Sequence, residues 1–184
     1  METIHKTKAK IRNRIKSLLK QTKEEELTQK SRAVKKALFK SEFFKKAKTV
    51  MFYMSVGGEV DTSEMIRDAQ KLGKKVVVPV CCGKRALKPC LLREDGALLM
   101  GPDGIFEPAL KTPVNLKDLG LVVVPGIAFD RNGKRLGKGK GYYDCFLKKL
   151  PKTVRSVGLA YDFQVLRSVP TTPRDIDVHT VIFA

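Results

Sequence analysis

Leu121-Val122-Val123-Val124-Pro125-Gly126 leads through Ile127-Ala128-Phe129-Asp130 into Arg131-Asn132-Gly133-Lys134-Arg135-Leu136-Gly137-Lys138-Gly139-Lys140-Gly141-Tyr142-Tyr143-Asp144. Four consecutive apolar residues predict a strand buried on both faces, as strands are in a parallel sheet covered by helices. The loop that follows predicts an anion site. Gly137, Gly139 and Gly141 free the backbone to take positive φ and to approach a ligand closely. Successive N–H groups can then form an anion-binding nest, and a helix opening after Gly141 would add the positive end of its dipole. Arg135, Lys138 and Lys140 supply mobile positive charge suited to a polyphosphate, and Asp144, near the helix start, is a group that can hold Mg²⁺. The glycine spacing is neither that of a P-loop nor that of a dinucleotide fingerprint. The plainer reading is a flexible basic surface loop. The adjacent Tyr142 and Tyr143, which pair flexibility with stacking surface, argue against it.

Outward from this stretch, strands alternate with helices. Ile11, Ile15, Leu18 and Leu19 recur at helical spacing. Thr22-Lys23-Glu24-Glu25 has the form of a capping box, and Leu27, Val34 and Leu38 would be the buried stripe of the helix it opens. Strands are predicted over Thr49–Met54, Lys75–Val80, Thr153–Ala160 and Val181–Phe183, with a weaker edge strand over Ala86–Leu92, where Pro89 interrupts the pattern. Asp61-Thr62-Ser63-Glu64 predicts a helix start and Gly73 a stop. Residues 101–115, with Pro102, Gly104, Pro108 and Pro113, read as a long loop. The expected fold is α/β, a three-layer α/β/α arrangement with a mostly parallel sheet, in one domain over residues 1–184. Ligands of such sheets bind beyond the carboxyl ends of the strands.

The chain has 184 residues, with 37 Lys and Arg against 19 Asp and Glu, a net charge of +18. At 42% hydrophobic and 30% charged, it is not disordered throughout. The excess sits in two segments. Residues 1–50 hold 16 basic and 5 acidic residues, and residues 131–155 hold 9 and 1. Such an excess points to a polyanion, nucleic acid or a phosphate-bearing small molecule, although charge runs are most often solvated surface. The longest apolar run is too short to span a bilayer, and the basic amino terminus, Met1 to Lys6, lacks a signal peptide's apolar segment. The expected compartment is the cytoplasm. Cys81, Cys82, Cys90 and Cys145 form no C-x-x-C pair, so neither a zinc site nor a disulfide framework is expected.

The string Pro-Gly-x-Ala-Phe-Asp followed by Gly-x-Arg-Leu-Gly-x-Gly-x-Gly-Tyr-Tyr-Asp, here Pro125 to Asp144, resembles the signature of the 5-formyltetrahydrofolate cyclo-ligase family. Lys8-x-x-Ile11-Arg12, Tyr53-Met54-Ser55, Glu59-Val60-Asp61-Thr62, Lys75–Pro79 and Asp175 are similar to further family motifs, so the resemblance spans nearly the whole chain. It implies ATP-dependent cyclisation of 5-formyltetrahydrofolate to 5,10-methenyltetrahydrofolate, with Mg²⁺ as cofactor and ADP and phosphate released. It implies Lys8 and Arg12, on one helix face, and Arg135, Leu136, Gly137, Lys138, Gly139, Lys140, Gly141, Tyr142 and Tyr143 as the ATP site. Arg135, Lys138 and Lys140 would neutralise the transferring phosphoryl group. Met54, Glu59 and Tyr142 would line the folate pocket, and Asp144 and Asp175 would bind Mg²⁺. His179 stands where the family pattern carries a second Asp. The protein is expected to be a monomer acting on small molecules, without nucleic acid or membrane.

Two other classes compete. A nucleic-acid-binding protein would explain the charge, but the basic residues lack the aromatic interleaving of RNA-binding modules. A phosphosugar isomerase or acyl-transfer enzyme would rest on fold analogy alone.

Overall fold

The computed structural model describes residues 2–101 and 104–184; Met1, at the head of the basic amino terminus, and Pro102, in the expected loop, lie outside the described residues. The main sheet takes its strands from β1 (Thr49–Met51), β2 (Lys75–Cys81), β3 (Leu87–Leu91), β6 (Leu121–Val124), β9 (Arg155–Ala160) and β11 (Thr180–Phe183). Their order is β11-β9-β6-β1-β2-β3. All neighbours are parallel except β2 and β3, so β3 is an antiparallel edge, which tolerates Pro89.

Val122 and Val124 point to one face and Leu121 and Val123 to the other. The first face packs with Met51, Val77 and the short helix α5 (Tyr142–Leu147). The second packs beneath Val34 and Leu38 of α2 (Glu24–Lys40) and Met65 and Ala69 of α4 (Ser63–Lys71). Burying each of these valine, leucine and methionine side chains contributes about 1.5–3 kcal/mol. The α5 side is the thinner layer, completed by coil that inserts Val114 and Leu119.

A second, three-stranded sheet, β10-β7-β8, unites β7 (Ala128–Asp130), β8 (Arg135–Leu136) and β10 (Val165–Leu166). Helix α1 (Glu2–Gln21) docks on it, with Ile15 packed beside Ala128, Leu136 and Val169. That docking carries the amino terminus to the glycine loop.

Three local expectations change. Thr22 is not an N-cap: its hydroxyl donates to the Leu18 carbonyl at the end of α1, 2.9 Å. Helix α2 starts after Lys23 without a side-chain cap, its dipole instead met by Glu24, Glu25 and Glu26. Strand β1 ends at Met51 rather than Met54. Phe52 still donates to the Val77 carbonyl, but Tyr53 turns back, its carbonyl accepting from Thr62 and its hydroxyl donating to the Val60 carbonyl. The expected 101–115 loop contains β5 (Phe106–Pro108), paired antiparallel with β4 (Leu98–Met100), and a 3₁₀ turn at Leu116–Asp118 follows it.

Candidate active site

Parallel strands adjacent in space but reversed in order create a crevice at their carboxyl ends. Here the reversal falls between β1 and β6, because the chain runs outward to β2 on one side and to β9 and β11 on the other. The segment after β1 carries Met54 and Glu59; the segment after β6 carries residues 125–144.

Asp130, fully buried, organises the turn between β7 and β8. One carboxylate oxygen accepts from the Asn132 and Lys134 amides and the other from the Val169 amide. The turn delivers Arg135 inward, only 5% exposed. Its guanidinium donates to Asp144 Oδ1 at 2.8 Å and to the Pro125 carbonyl at 3.2 Å. Leu136 sends its side chain into the core beneath α1, so only its backbone can meet a ligand. Gly139 (φ 103°) and Gly141 (φ 75°) are left-handed, a conformation open to glycine. The guanidinium of Arg12 lies 3.6 Å from where a Cβ on Gly139 would be, and Arg12 Nε donates to the Gly137 carbonyl at 3.0 Å.

Lys8, 6% exposed, donates to Asp175 Oδ2 at 2.6 Å. Burial works against the Asp175 carboxylate, but hydrogen bonds from Lys8 and Thr172 outweigh it and hold the carboxyl below its usual range. Lys138 reaches across the crevice to Glu59 Oε1 at 2.8 Å, while Glu59 Oε2 accepts from the Val56 amide. Met54 and Tyr142 are half-buried, and Lys140 is exposed. Helix α5 does follow the loop, opening after Gly141, and is six residues long.

The structure thus brings Lys8 to Asp175, Arg12 to Gly137, Arg135 to Asp144 and Lys138 to Glu59, although Lys8 and Asp175 are 167 positions apart; Met54, Lys140 and Tyr142 are placed only by the segments that carry them. Asp144 and Asp175 are neighbours as well, since Asp144 Oδ1 also accepts from the Ile176 amide. Their fit to a metal is partial. Each spends one oxygen on protein donors, and no cluster of three or more metal-ligating side chains exists among the described residues. That donor set suits Mg²⁺, which is commonly held by one or two carboxylates and completed by phosphate and water oxygens. Two buried polar atoms, Arg135 Nε and the Tyr143 hydroxyl, have no partner among the described residues. Burial pushes the Tyr143 phenol far above its ordinary value, with the Glu59 carboxylate adding to the shift and Arg135 opposing it. Such orphans in a crevice fit a ligand that brings its own oxygens.

Two contributors were not read from the sequence. Asp130 stands inside the quoted string but carried no assigned role. Arg85, in the turn between β2 and β3, has a left-handed backbone (φ 56°), and its Cδ lies 3.7 Å from where a Cβ on Gly141 would be. Its only sequence signal is the basic Gly83-Lys84-Arg85 turn.

The model of the 5-formyltetrahydrofolate cyclo-ligase family matches residues 4–184. A probable 5-formyltetrahydrofolate cyclo-ligase of Caenorhabditis elegans is 30% identical over 196 residues, covering 100% of this chain and 95% of the relative. The 5-formyltetrahydrofolate cyclo-ligase of Escherichia coli K12 is 33% identical over 141 residues, 74% of this chain and 78% of its own. The solution structure of Aquifex aeolicus 5,10-methenyltetrahydrofolate synthetase superimposes with a TM-score of 0.85 at 34% identity, covering 96% of this chain and 89% of that one.

Proposed function

Because this chain belongs to the 5-formyltetrahydrofolate cyclo-ligase family, we propose that its crevice closes 5-formyltetrahydrofolate to 5,10-methenyltetrahydrofolate at the expense of ATP. The observation that carries this reading is the Lys138–Glu59 contact of 2.8 Å. It joins a phosphate-type loop to the loop after β1, so two ligands bound on these loops would meet at one place.

The chemistry suits these residues. A formyl amide is a poor electrophile because its nitrogen donates into the carbonyl. Transfer of the γ-phosphoryl group to the formyl oxygen releases ADP and turns that oxygen into a leaving group. N10 then attacks the formyl carbon and loses its proton. The C–O bond breaks, phosphate departs, and the N5–C–N10 bridge remains as the methenyl cation. Phosphoryl transfer of this kind depends on positioning and charge neutralisation. Arg135, Lys138 and Lys140 supply the charge, and Lys8 and Arg12 bind the phosphates from α1. Gly137, Gly139, Gly141 and the backbone of Leu136 shape the loop, and Tyr143 closes its inner side. Glu59, on binding, would exchange Lys138 for the pterin N–H donors, with Met54 and Tyr142 against the ring. Asp144 and Asp175 would hold Mg²⁺, which neutralises charge on the phosphates when bound. In this reading the 184 residues form one domain that acts as a cytoplasmic monomer on small molecules, without nucleic acid or membrane. Among the described residues, no helix is long and apolar enough to cross a membrane.

Mixing the protein with MgATP and 5-formyltetrahydrofolate should give an ATP-dependent rise in the near-ultraviolet absorbance of the methenyl product. No rise in the presence of both substrates would refute the reading.

A further inference from the structure

The opposite end of the main sheet holds a feature the proposed reaction does not use. A cleft of about 590 Å³ opens at the amino-terminal ends of β6, β9 and β11, beside the turn from α3 (Glu42–Lys46) into β1. Strand β9 runs from the cleft toward the crevice, and its six residues separate the two by about 17 Å.

The polar side chains lining the cleft can almost all donate: Lys46, Arg155, His179, Thr153, Ser156 and Thr180. The exception, Glu42, is engaged by Lys45 at 2.9 Å. Lys46 and Arg155 have no ion-pair partner among the described residues. They come from the two basic segments of the sequence, 109 positions apart by their numbers, and the fold brings them to one cleft.

His179 is held in place. Its Nδ1 accepts from the Ser156 amide at 3.1 Å and lies 2.7 Å from Ser156 Oγ, while its own amide donates to the Ser156 carbonyl. With Nδ1 occupied as an acceptor, the neutral ring carries its proton on Nε2, which is then a further donor. The volume lies within the range of small-molecule sites and exceeds what a single phosphate fills. Phe43 and Ala47 add apolar lining. Exposed cations, hydroxyls and an imidazole N–H, with the one acid already paired, match a chain of phosphate oxygens.

We propose that this cleft is a second anion site, which takes the phosphate chain of a small molecule independently of the crevice at the carboxyl ends. The phosphate chain could belong to an inorganic polyphosphate or to a nucleotide.

Calorimetric titration of the whole protein with tripolyphosphate separates the two sites. Wild type should bind two equivalents. Lys138→Ala/Lys140→Ala should retain one. Lys46→Gln/Arg155→Gln should retain the other, with affinity at the cleft weakened at least tenfold and with unchanged turnover in the methenyl assay. Lys149→Gln/Lys152→Gln, which removes nearby charge outside the cleft, is the control and should bind as wild type does. In the Lys138→Ala/Lys140→Ala background, ATP binding more tightly than tripolyphosphate identifies a nucleotide, and equal affinity identifies the inorganic chain. The proposal is overturned if Lys46→Gln/Arg155→Gln leaves both equivalents intact. It also fails if the control pair weakens binding as much, or if the crevice variant loses all binding. Because this titration reads stoichiometry rather than turnover, its failure is distinct from failure of the cyclo-ligase reading.

Discussion

The two ends of the main sheet use positive charge in opposite ways. At the carboxyl ends, Lys8 meets Asp175, Arg135 meets Asp144 and Lys138 meets Glu59. At the amino ends, Lys46 and Arg155 line the cleft without an ion pair among the described residues, and its one acid, Glu42, is held by Lys45. A cation can be buried in a fixed geometry only when a counter-charge offsets its desolvation. The carboxylates of the crevice thus allow Lys8 and Arg135 to be withdrawn from water and aimed. The cations at the far end stay exposed and keep their charge available. Net charge, at +18, does not distinguish the two ends; pairing does.

The largest test of this contrast is Arg135→Ala. It should lower kcat by about 10²–10³-fold, the scale for removing a preorganised donor. It also leaves Asp144 without its buried partner, a loss of about 3–5 kcal/mol. At about 2–4 °C of Tm per kcal/mol for a chain of this size, the melting curve should shift visibly. Arg135→Lys should keep much of the stability but not the turnover, because an ammonium lacks the planar fork. Turnover of the Ala variant within tenfold of wild type would remove Arg135 from the chemistry.

Lys140→Ala comes next, with a loss of about 10²-fold in kcat. Its exposed position predicts a nearly unchanged Tm, the reverse of Arg135→Ala in the balance between activity and stability. Wild-type kinetics would exclude it from the site. Glu59→Gln follows. It gives up a charged acceptor, an effect of about 1.5–3 kcal/mol, and should raise the KM for 5-formyltetrahydrofolate by about tenfold or more while leaving that for ATP less affected. An equal rise in both would mean that Glu59 serves only to position Lys138.

Much of this arrangement was legible in the sequence because it is local. Leu121–Val124 is the strand its apolar run predicts, and Gly73 stops α4 with a left-handed φ of 73°. The glycine loop emerges where such loops bind ligands. What was not legible depends on partners distant in sequence. Nothing in the spacing of Lys8 pairs it with Asp175, and nothing in Arg155 points to Lys46. Thr49–Met54 overran β1 because apolar residues continue past the point where Tyr53 turns to meet Val60 and Thr62. The hairpin of β4 and β5 was hidden by its prolines and glycine, and its Leu99 and Met100 remain exposed, so no burial pattern marked it as a strand. Thr22 and Glu25 matched a capping box, but the hydroxyl found a nearer acceptor in the preceding helix.

The smallest expected effect lies at the amino ends and concerns His179. Partial burial, with the charge of Arg155 beside it, pushes its imidazole below the ordinary value. Lys46 also lines the cleft, and Glu42 is its one acid. As pH falls, the unfolded chain therefore takes up this proton before the folded one does. The stabilisation is fully present above the unfolded pKa of about 6.5 and is lost as pH drops through that value toward the lowered folded one. His179→Asn keeps an oxygen able to accept from Ser156 but cannot titrate. Between about pH 7.5 and about pH 5.5, wild type should lose slightly more Tm than the variant, by about a degree or less, because the ring remains largely in solvent. A variant that loses as much Tm as wild type over this interval would show that the Ser156 contact survives protonation, and that the amino ends carry no pH sensitivity of their own.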